Sequence, residues 1–264
     1  MKFSHELETA IRATKAAGKI QMKYFGKPLE KKMKEKNDFA TQADFESEKA
    51  IIKILQKEFP DYGILSEEKG ETKGNSDYHW IVDPLDGTVC YSYGFPFFGV
   101  LIALEKKQKL ELGVVYQTVQ NEALAAQRNK GCFLNGKKVQ VSKRAELQEA
   151  FLGYNGIRDQ LKKYPEQFRN LLNAANWRTG VPSLQGTISL CSGQLDIFLQ
   201  STGKYRIMKP WDTAAPKITI EEAGGVFSNY RGEKELDKID FWLATNQKLH
   251  SKVIQILNPK KETP

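Results

Sequence analysis

Cysteine is scarce in this chain: Cys90, Cys132 and Cys191 are the only three in 264 residues. Their number is odd and none stands in a CxxC pair, which argues against a disulfide framework or a cysteine zinc site. Cys90 reads as a small half-buried residue, because no base accompanies it in sequence. Histidine is as rare, with three in all; His79, alone before an apolar run, reads as a surface or capping residue. No stretch approaches the roughly 18–20 consecutive apolar residues that span a bilayer. Met1–Phe25 also lacks the continuous apolar core of a signal peptide. The expectation is a cytoplasmic protein with no membrane partner. No internal repeat and no Pro/Ser-rich linker divides the chain, so one layered α/β unit is expected over 1–264.

Core material is ample: 40% of residues are hydrophobic, with 14 Phe, 10 Tyr and 4 Trp. The formal net charge of +8 invites a nucleic-acid reading. The densest basic run, Lys27–Lys36, is interrupted by Glu30 and Glu35 and carries no aromatic interleaving. It reads as a solvated face, and no nucleic-acid partner is expected. A basic surface also suits a small anionic substrate, which it steers inward.

The informative stretch is Asp83-Pro84-Leu85-Asp86-Gly87-Thr88, after the apolar run Trp80-Ile81-Val82. Proline fixes φ and donates nothing to a ladder, so the strand is expected to stop at Asp83. Asp83, Asp86 and the Leu85 carbonyl can then face one point, a hard-oxygen set suited to magnesium rather than zinc. Gly87 permits close backbone approach and Thr88 adds a hydroxyl. An ordinary Asp-Pro turn with a capping Asp is the alternative that these residues alone leave open.

The string WIVDPLDGT (Trp80–Thr88) resembles the signature of the inositol monophosphatase family. A second string, Trp211-Asp212-Thr213-Ala214-Ala215 with Glu222-Ala223-Gly224-Gly225, resembles that family's other motif. The resemblance implies a layered αβαβα sandwich of the sugar-phosphatase type, with a metal-site half at about 1–145 and a second half at about 146–264. It implies magnesium, two or three ions, on Glu67, Asp83, the Leu85 carbonyl, Asp86 and Asp212. Asp44 and Thr88 become the catalytic pair that orients a water, and Gly87, Thr88, Asp212 and Gln200 the substrate contacts. The implied reaction is hydrolysis of a small phosphorylated metabolite, with inositol monophosphate first. Histidinol phosphate, fructose 1,6-bisphosphate and 3′-phosphoadenosine 5′-phosphate are the alternatives within the superfamily. A homodimer is implied as well. A metal-binding regulatory protein without turnover is the competing class.

The chain departs from the pattern in places. Ser66 and Lys69 replace Gly and Ser around Glu67-Glu68, Val89-Cys90-Tyr91 follows Thr88, and Gln200 stands where inositol phosphatases carry Glu after the Gly193…Asp196 motif. The segment Ser201–Pro210 looks longer than usual, and its Lys204, Arg206 and Lys209 offer charge to a second anionic group.

Periodicity predicts helices over Leu7–Phe25, Phe45–Phe59, Gln160–Ala175, Ser183–Cys191, Asp212–Ala223 and Gln247–Leu257. Asp44 and Asp212 would cap two of them. Lys31–Asn37 and Gly70–Tyr78 read as loops. Phe97–Leu104, Leu110–Thr118, Glu122–Ala126 and Val139–Val141 read as a meander beside the strand that carries Asp83, with Asn135-Gly136 as a hairpin turn. Tyr91, Tyr93, Phe95 and Phe97 read as packing residues.

Overall fold

The computed structural model describes residues 3–35, 38–201, 207–234 and 239–259. These form two compact units, 1–138 with 210–219, and 139–209 with 220–264.

The first unit opens with α1 (His5–Tyr24), whose cap is Ser4 and whose buried stripe holds Leu7, Ala10, Ala13, Ala17 and Gln21. A two-stranded hairpin follows, β1 (Lys31–Glu35) with β2 (Asp38–Thr41), and leads directly into α2 (Gln42–Glu58). Next come β3 (Gly63–Ser66), β4 (Gly70–Thr72), β5 (Tyr78–Asp86) and the short α3 (Thr88–Ser92). The meander is β6 (Gly99–Lys106), β7 (Lys109–Gln117), β8 (Glu122–Gln127), β9 (Gly131–Leu134) and β10 (Lys137–Val139). All except the hairpin join one eight-stranded sheet, ordered β10-β9-β8-β7-β6-β5-β3-β4. β3 and β5 run parallel, and the other pairings given for this sheet are antiparallel.

The two-residue period of the strands sends Trp80, Val82, Val100, Ile102, Leu104, Leu112 and Val114 into one core with Ile51 and Leu55 of α2 and Leu7 of α1. Each such side chain stabilises the unit by about 1.5–3 kcal/mol relative to exposure. The opposite face of β7 has no side chain at Gly113. A Cβ there would lie 2.5 Å from Ile218 and 3.1 Å from the Ala215 backbone. That vacancy is the seat of the helix that carries Asp212.

The second unit contains β11 (Phe151–Asn155), α4 (Arg158–Lys163), α5 (Pro165–Ala174), β12 (Trp177–Gly180), α6 (Ser183–Cys191), β13 (Ile197–Ser201), the later part of α7 (Pro210–Glu222), β14 (Gly225–Ser228), β15 (Phe241–Asn246) and α8 (Gln247–Leu257). Its sheet is ordered β12-β11-β13-β15-β14. Phe168 and Leu171 of α5 and Leu249 and Val253 of α8 pack on Ile197, Leu199, Phe241 and Leu243. Asp196, fully buried, accepts from Phe151 N at 2.7 Å and from Arg144 and Ser142, tying the approach to β11 onto the start of β13.

The mixed α/β class expected from the sequence is the class observed. Several elements differ in detail. β5 does not stop at Asp83; it runs through Pro84 to Asp86, with a register shift between Asp83 and Asp86 that absorbs the missing donor. Lys31–Glu35 is a strand rather than a loop, and Gly70–Thr72 pairs with β3. The expected helix over 160–175 is broken at Tyr164-Pro165, because proline inside a helix removes a bond and favours a first-turn position. The last strand of the meander lies at Lys137–Val139 instead of 139–141. Of the aromatic set only Tyr91 is buried; Tyr93 and Phe95 are 71% and 55% exposed. Among the described residues no helix is long and apolar enough to cross a membrane.

Candidate active site

Asp44 sits at the third position of α2, where it completes a capping box with Thr41. Its Oδ2 accepts from Thr41 N at 2.8 Å and from Thr41 Oγ1 at 2.6 Å. Its other oxygen, Oδ1, accepts from Thr88 Oγ1 at 3.1 Å. The structure therefore joins the two residues expected to pair, and the cap and the pairing coexist on separate oxygens. Burial pushes the Asp44 carboxyl up to about 6, with the nearby Glu67 charge adding to this against the Thr41 and Thr88 bonds.

The turn that presents Thr88 is built by Gly87, the residue before α3, at φ 86°. That left-handed backbone suits glycine, and a Cβ would lie 2.5 Å from the Phe97 carbonyl oxygen. Thr88 Oγ1 also reaches the Leu85 carbonyl oxygen at 2.9 Å, while Leu85 N donates to Asp83 Oδ1 at 2.9 Å. Gln21, missed from the sequence, supports the same turn from α1. Its buried amide donates to the Pro84 carbonyl at 2.8 Å and to that of Gly99 at 3.1 Å.

Asp83 is 2% exposed and its carboxyl lies well above the usual range, through burial first and then the charges of Glu67, Asp86 and Asp212. Half-buried Asp86 is pushed up to about 7 by burial, Asp212 and Glu67. Among the described residues no hydrogen bond relieves its carboxylate, and the charges that raise it are other acids. Asp212 lies in the first turn of α7. The four expected carboxylates are thus electrostatic neighbours within the first unit. As the side chains stand, no three His, Cys, Asp or Glu among the described residues close on a point that would hold an ion. The donor set still fits a hard divalent cation, since every candidate atom is oxygen and, among the described residues, Asp86 has no positive or donating partner.

Lys34 reaches the cluster. Lys34 of β1 donates from Nζ to Glu67 Oε1 at 2.9 Å and to Glu68 Oε1. Burial alone would lower its ammonium, but the two glutamates prevail and raise it. Glu68 is pushed up to about 7 by burial, with the Glu67 charge adding to it and Lys34 opposing. The basic run is therefore not simply solvated: Lys31 and Lys32 lie over the rings of Phe39 and Phe45. Buried Glu48, also missed, accepts from the N–H groups of Glu68 and Lys69 at 3.0 and 3.1 Å and fixes the acidic turn. Its position four residues after Asp44 on one helix face was the available signal.

Gln200 belongs to the second unit, where it is buried in β13 with Oε1 accepting from Asn155 Nδ2 at 3.1 Å and Nε2 donating to the Ser201 carbonyl at 3.2 Å. Lys204 and Arg206 lie outside the described residues. Cys90 is half-buried and its thiol is raised, by burial and then by Asp86, so it is not an activated nucleophile.

Known proteins resemble the chain along nearly its whole length. The model of the inositol monophosphatase family matches residues 3–262. The Nus factor SuhB of Pseudomonas aeruginosa is 32% identical over 266 aligned positions, covering 96% of this chain and 96% of its own. The extragenic suppressor protein suhB of Bartonella henselae superposes with a TM-score of 0.89 at 28% identity, covering 97% of this chain and 100% of its own. An IMPase of Thermotoga maritima gives 0.84 at 27% identity, covering 97% of each. On that match, the chain belongs to the inositol monophosphatase family.

Proposed function

We propose that this protein hydrolyses a small phosphate monoester in a magnesium-dependent reaction, with inositol monophosphate the first substrate to test. The observation that carries the reading is the Thr88–Asp44 hydrogen bond beside the Asp83–Asp86 turn. Glu67, Asp83, the Leu85 carbonyl, Asp86 and Asp212 would hold two or three ions. When bound, magnesium supplies Lewis acidity, lowers the pKa of water and neutralises phosphate charge.

The chain's own contribution is orientation. With Asp44 ionised, the Thr88 hydroxyl donates to it and keeps its lone pairs for a water O–H. That fixes the direction of the water's remaining lone pairs, a positioning role of the kind expected of an acid–base pair. The N–H groups of Gly87 and Thr88 are the proposed phosphate contacts. Gln200 is the weaker substrate assignment, because a polyol would meet its amide only by displacing Asn155 or the Ser201 carbonyl.

The test is phosphate release from inositol 1-phosphate, fructose 1,6-bisphosphate, histidinol phosphate and 3′-phosphoadenosine 5′-phosphate. Activity should vanish in excess EDTA and return with magnesium. Full activity in EDTA would sink the metal mechanism. A second reading, a regulatory protein without turnover, draws on the name Nus factor carried by relatives such as that of Pseudomonas aeruginosa. No release from any of the four substrates would favour it.

A further inference from the structure

We infer that the exposed face of α2 is a docking groove for an acidic amphipathic helix of a partner protein. The groove encloses about 710 Å³. Phe45 and Ile52 form its apolar floor, and Lys49, Lys53, Lys57 and Lys69 stand around it.

The charges of α2 are sorted by whether they have partners. Its acids are all engaged: Asp44 with Thr41 and Thr88, Glu46 with Tyr24 and Gln42, and Glu58 with Arg12. Glu48 holds the N–H groups of Glu68 and Lys69. Its lysines, Lys49, Lys53 and Lys57, are exposed, and among the described residues none of them makes an ion pair. They stand at i, i+4 and i+8, so the neighbour of each lysine along the face is another lysine. Like charges at that spacing destabilise a helix, and a polyanion lying along the row relieves them.

The length of the row selects the occupant. Lys49 to Lys57 covers about 12 Å of helix, too far for one phosphate or a small metabolite to meet all three lysines. A second helix with Glu or Asp at every fourth residue has the same rise and matches the row charge for charge. The floor selects further. Phe45, Ile52 and Gln56 share one face at i, i+7 and i+11, and the lysine row runs along one edge of that strip. Lys69 stands across it, on the side where Glu48 holds the turn. Charge therefore flanks an apolar strip, which suits the Leu-sized side chains of an amphipathic helix. A nucleic-acid backbone would use the charges and leave the strip unused. Lys32 also lies over the Phe45 ring, 5.3 Å from its centroid, so that ring face is not open for a base to stack on.

The test titrates the intact protein into a fluorescein-labelled helical peptide with Glu at every fourth position and Leu beside each, read by anisotropy at low salt. Wild type should bind saturably. Lys53→Glu should weaken binding about tenfold, and Lys53→Gln by less. Lys109→Glu makes the same charge change at an exposed site off the groove and should bind like wild type. A peptide with Ser in place of each Leu should bind more weakly, because the strip then has nothing to bury. Lys53→Glu should melt no lower than wild type, since Glu–Lys neighbours replace like charges. Absence of saturable binding by wild type overturns the inference, as does equal weakening by Lys109→Glu, undiminished binding of the Ser peptide, or a lowered melting temperature in Lys53→Glu. Tighter, Lys53-dependent binding of a single-stranded oligonucleotide or of phosphatidylglycerol vesicles would also overturn it, and would give the groove to nucleic acid or to a lipid surface.

Discussion

Thr88 Oγ1 stands 2.9 Å from the Leu85 carbonyl oxygen and 3.1 Å from Asp44 Oδ1, so one hydroxyl proton faces two acceptors. A cation drawing on the Leu85 carbonyl would leave that proton to Asp44, which is the arrangement a water-orienting pair needs. Asp44→Asn or Thr88→Ala should lower kcat by roughly 10²- to 10⁴-fold. Stability should fall by only about 0.5–2 kcal/mol, the cost of a weakened cap. A folded, magnesium-loaded variant with near-wild-type kcat would return Asp44 to capping alone.

The crowded acids predict an inverse relation between stability and function at Asp86. Its carboxyl titrates near 7 in the fold, above the ordinary range, so between about pH 4 and 7 the folded state binds its proton more readily than the unfolded chain. Stability of the metal-free protein from this group is full at low pH and is lost as pH rises through about 7. Asp86→Asn should stabilise the metal-free protein at pH 8 by on the order of 2 kcal/mol, and should also abolish magnesium-dependent activity. Denaturant midpoints at pH 5 and 8 check it. An Asn variant no more stable than wild type at pH 8 would refute the repulsion.

His250 gives the opposite sign. Its ring lies 3.2 Å from Ser228 Oγ and 3.1 Å from Thr245 Oγ1, and burial, followed by the Lys234 charge, lowers its pKa. Burial disfavours the charged ring and the Lys234 ammonium adds to this, so folding favours the uncharged form. The contribution is fully present above the ordinary histidine range and is lost as pH falls through the depressed value. His250→Gln should flatten that part of the stability–pH curve below about pH 6.5. An unaltered acid limb in the variant would exclude His250 as its source.

Gln200→Glu tests whether residue 200 meets substrate. A carboxylate cannot donate to the Ser201 carbonyl, and losing that hydrogen bond should cost about 0.5–1.5 kcal/mol. A substrate-facing residue 200 would raise kcat/KM for inositol 1-phosphate relative to fructose 1,6-bisphosphate. Unchanged ratios with lowered stability would make Gln200 a strand residue only.

Much of the fold was legible because its signals are local. The 3.6-residue stripe of α1 and the alternation in β6 and β7 are written in single segments and survive packing. The turn at Gly87-Thr88 was legible because its residue types are restricted by backbone geometry. What stayed hidden depends on distant partners. Pro84 lies within β5 because Gln21, 63 residues away, satisfies its carbonyl. Tyr91 and Tyr93 differ by two positions and have the same chemistry. Tyr91 is buried because its hydroxyl finds the Gln21 carbonyl at 2.7 Å, and nothing in the local string distinguishes the two. Lys34 looked like part of a charged run until the hairpin set it against Glu67 and Glu68.

The bare backbone at Gly113 carries a lesson about cutting the chain. Residues 210–219 belong with the first unit although some seventy residues of the second precede them. The polypeptide therefore leaves the first unit and comes back to it, so no single scission yields both units whole. A fragment ending near residue 145 would retain Asp44, Glu67, Asp83, Asp86 and Thr88, yet it would expose the empty strip over Gly113 and lack Asp212. Supplying the remainder as a separate polypeptide should restore what the fragment lacks, and Gly113→Val, by filling the seat of the returning helix, should block that rescue.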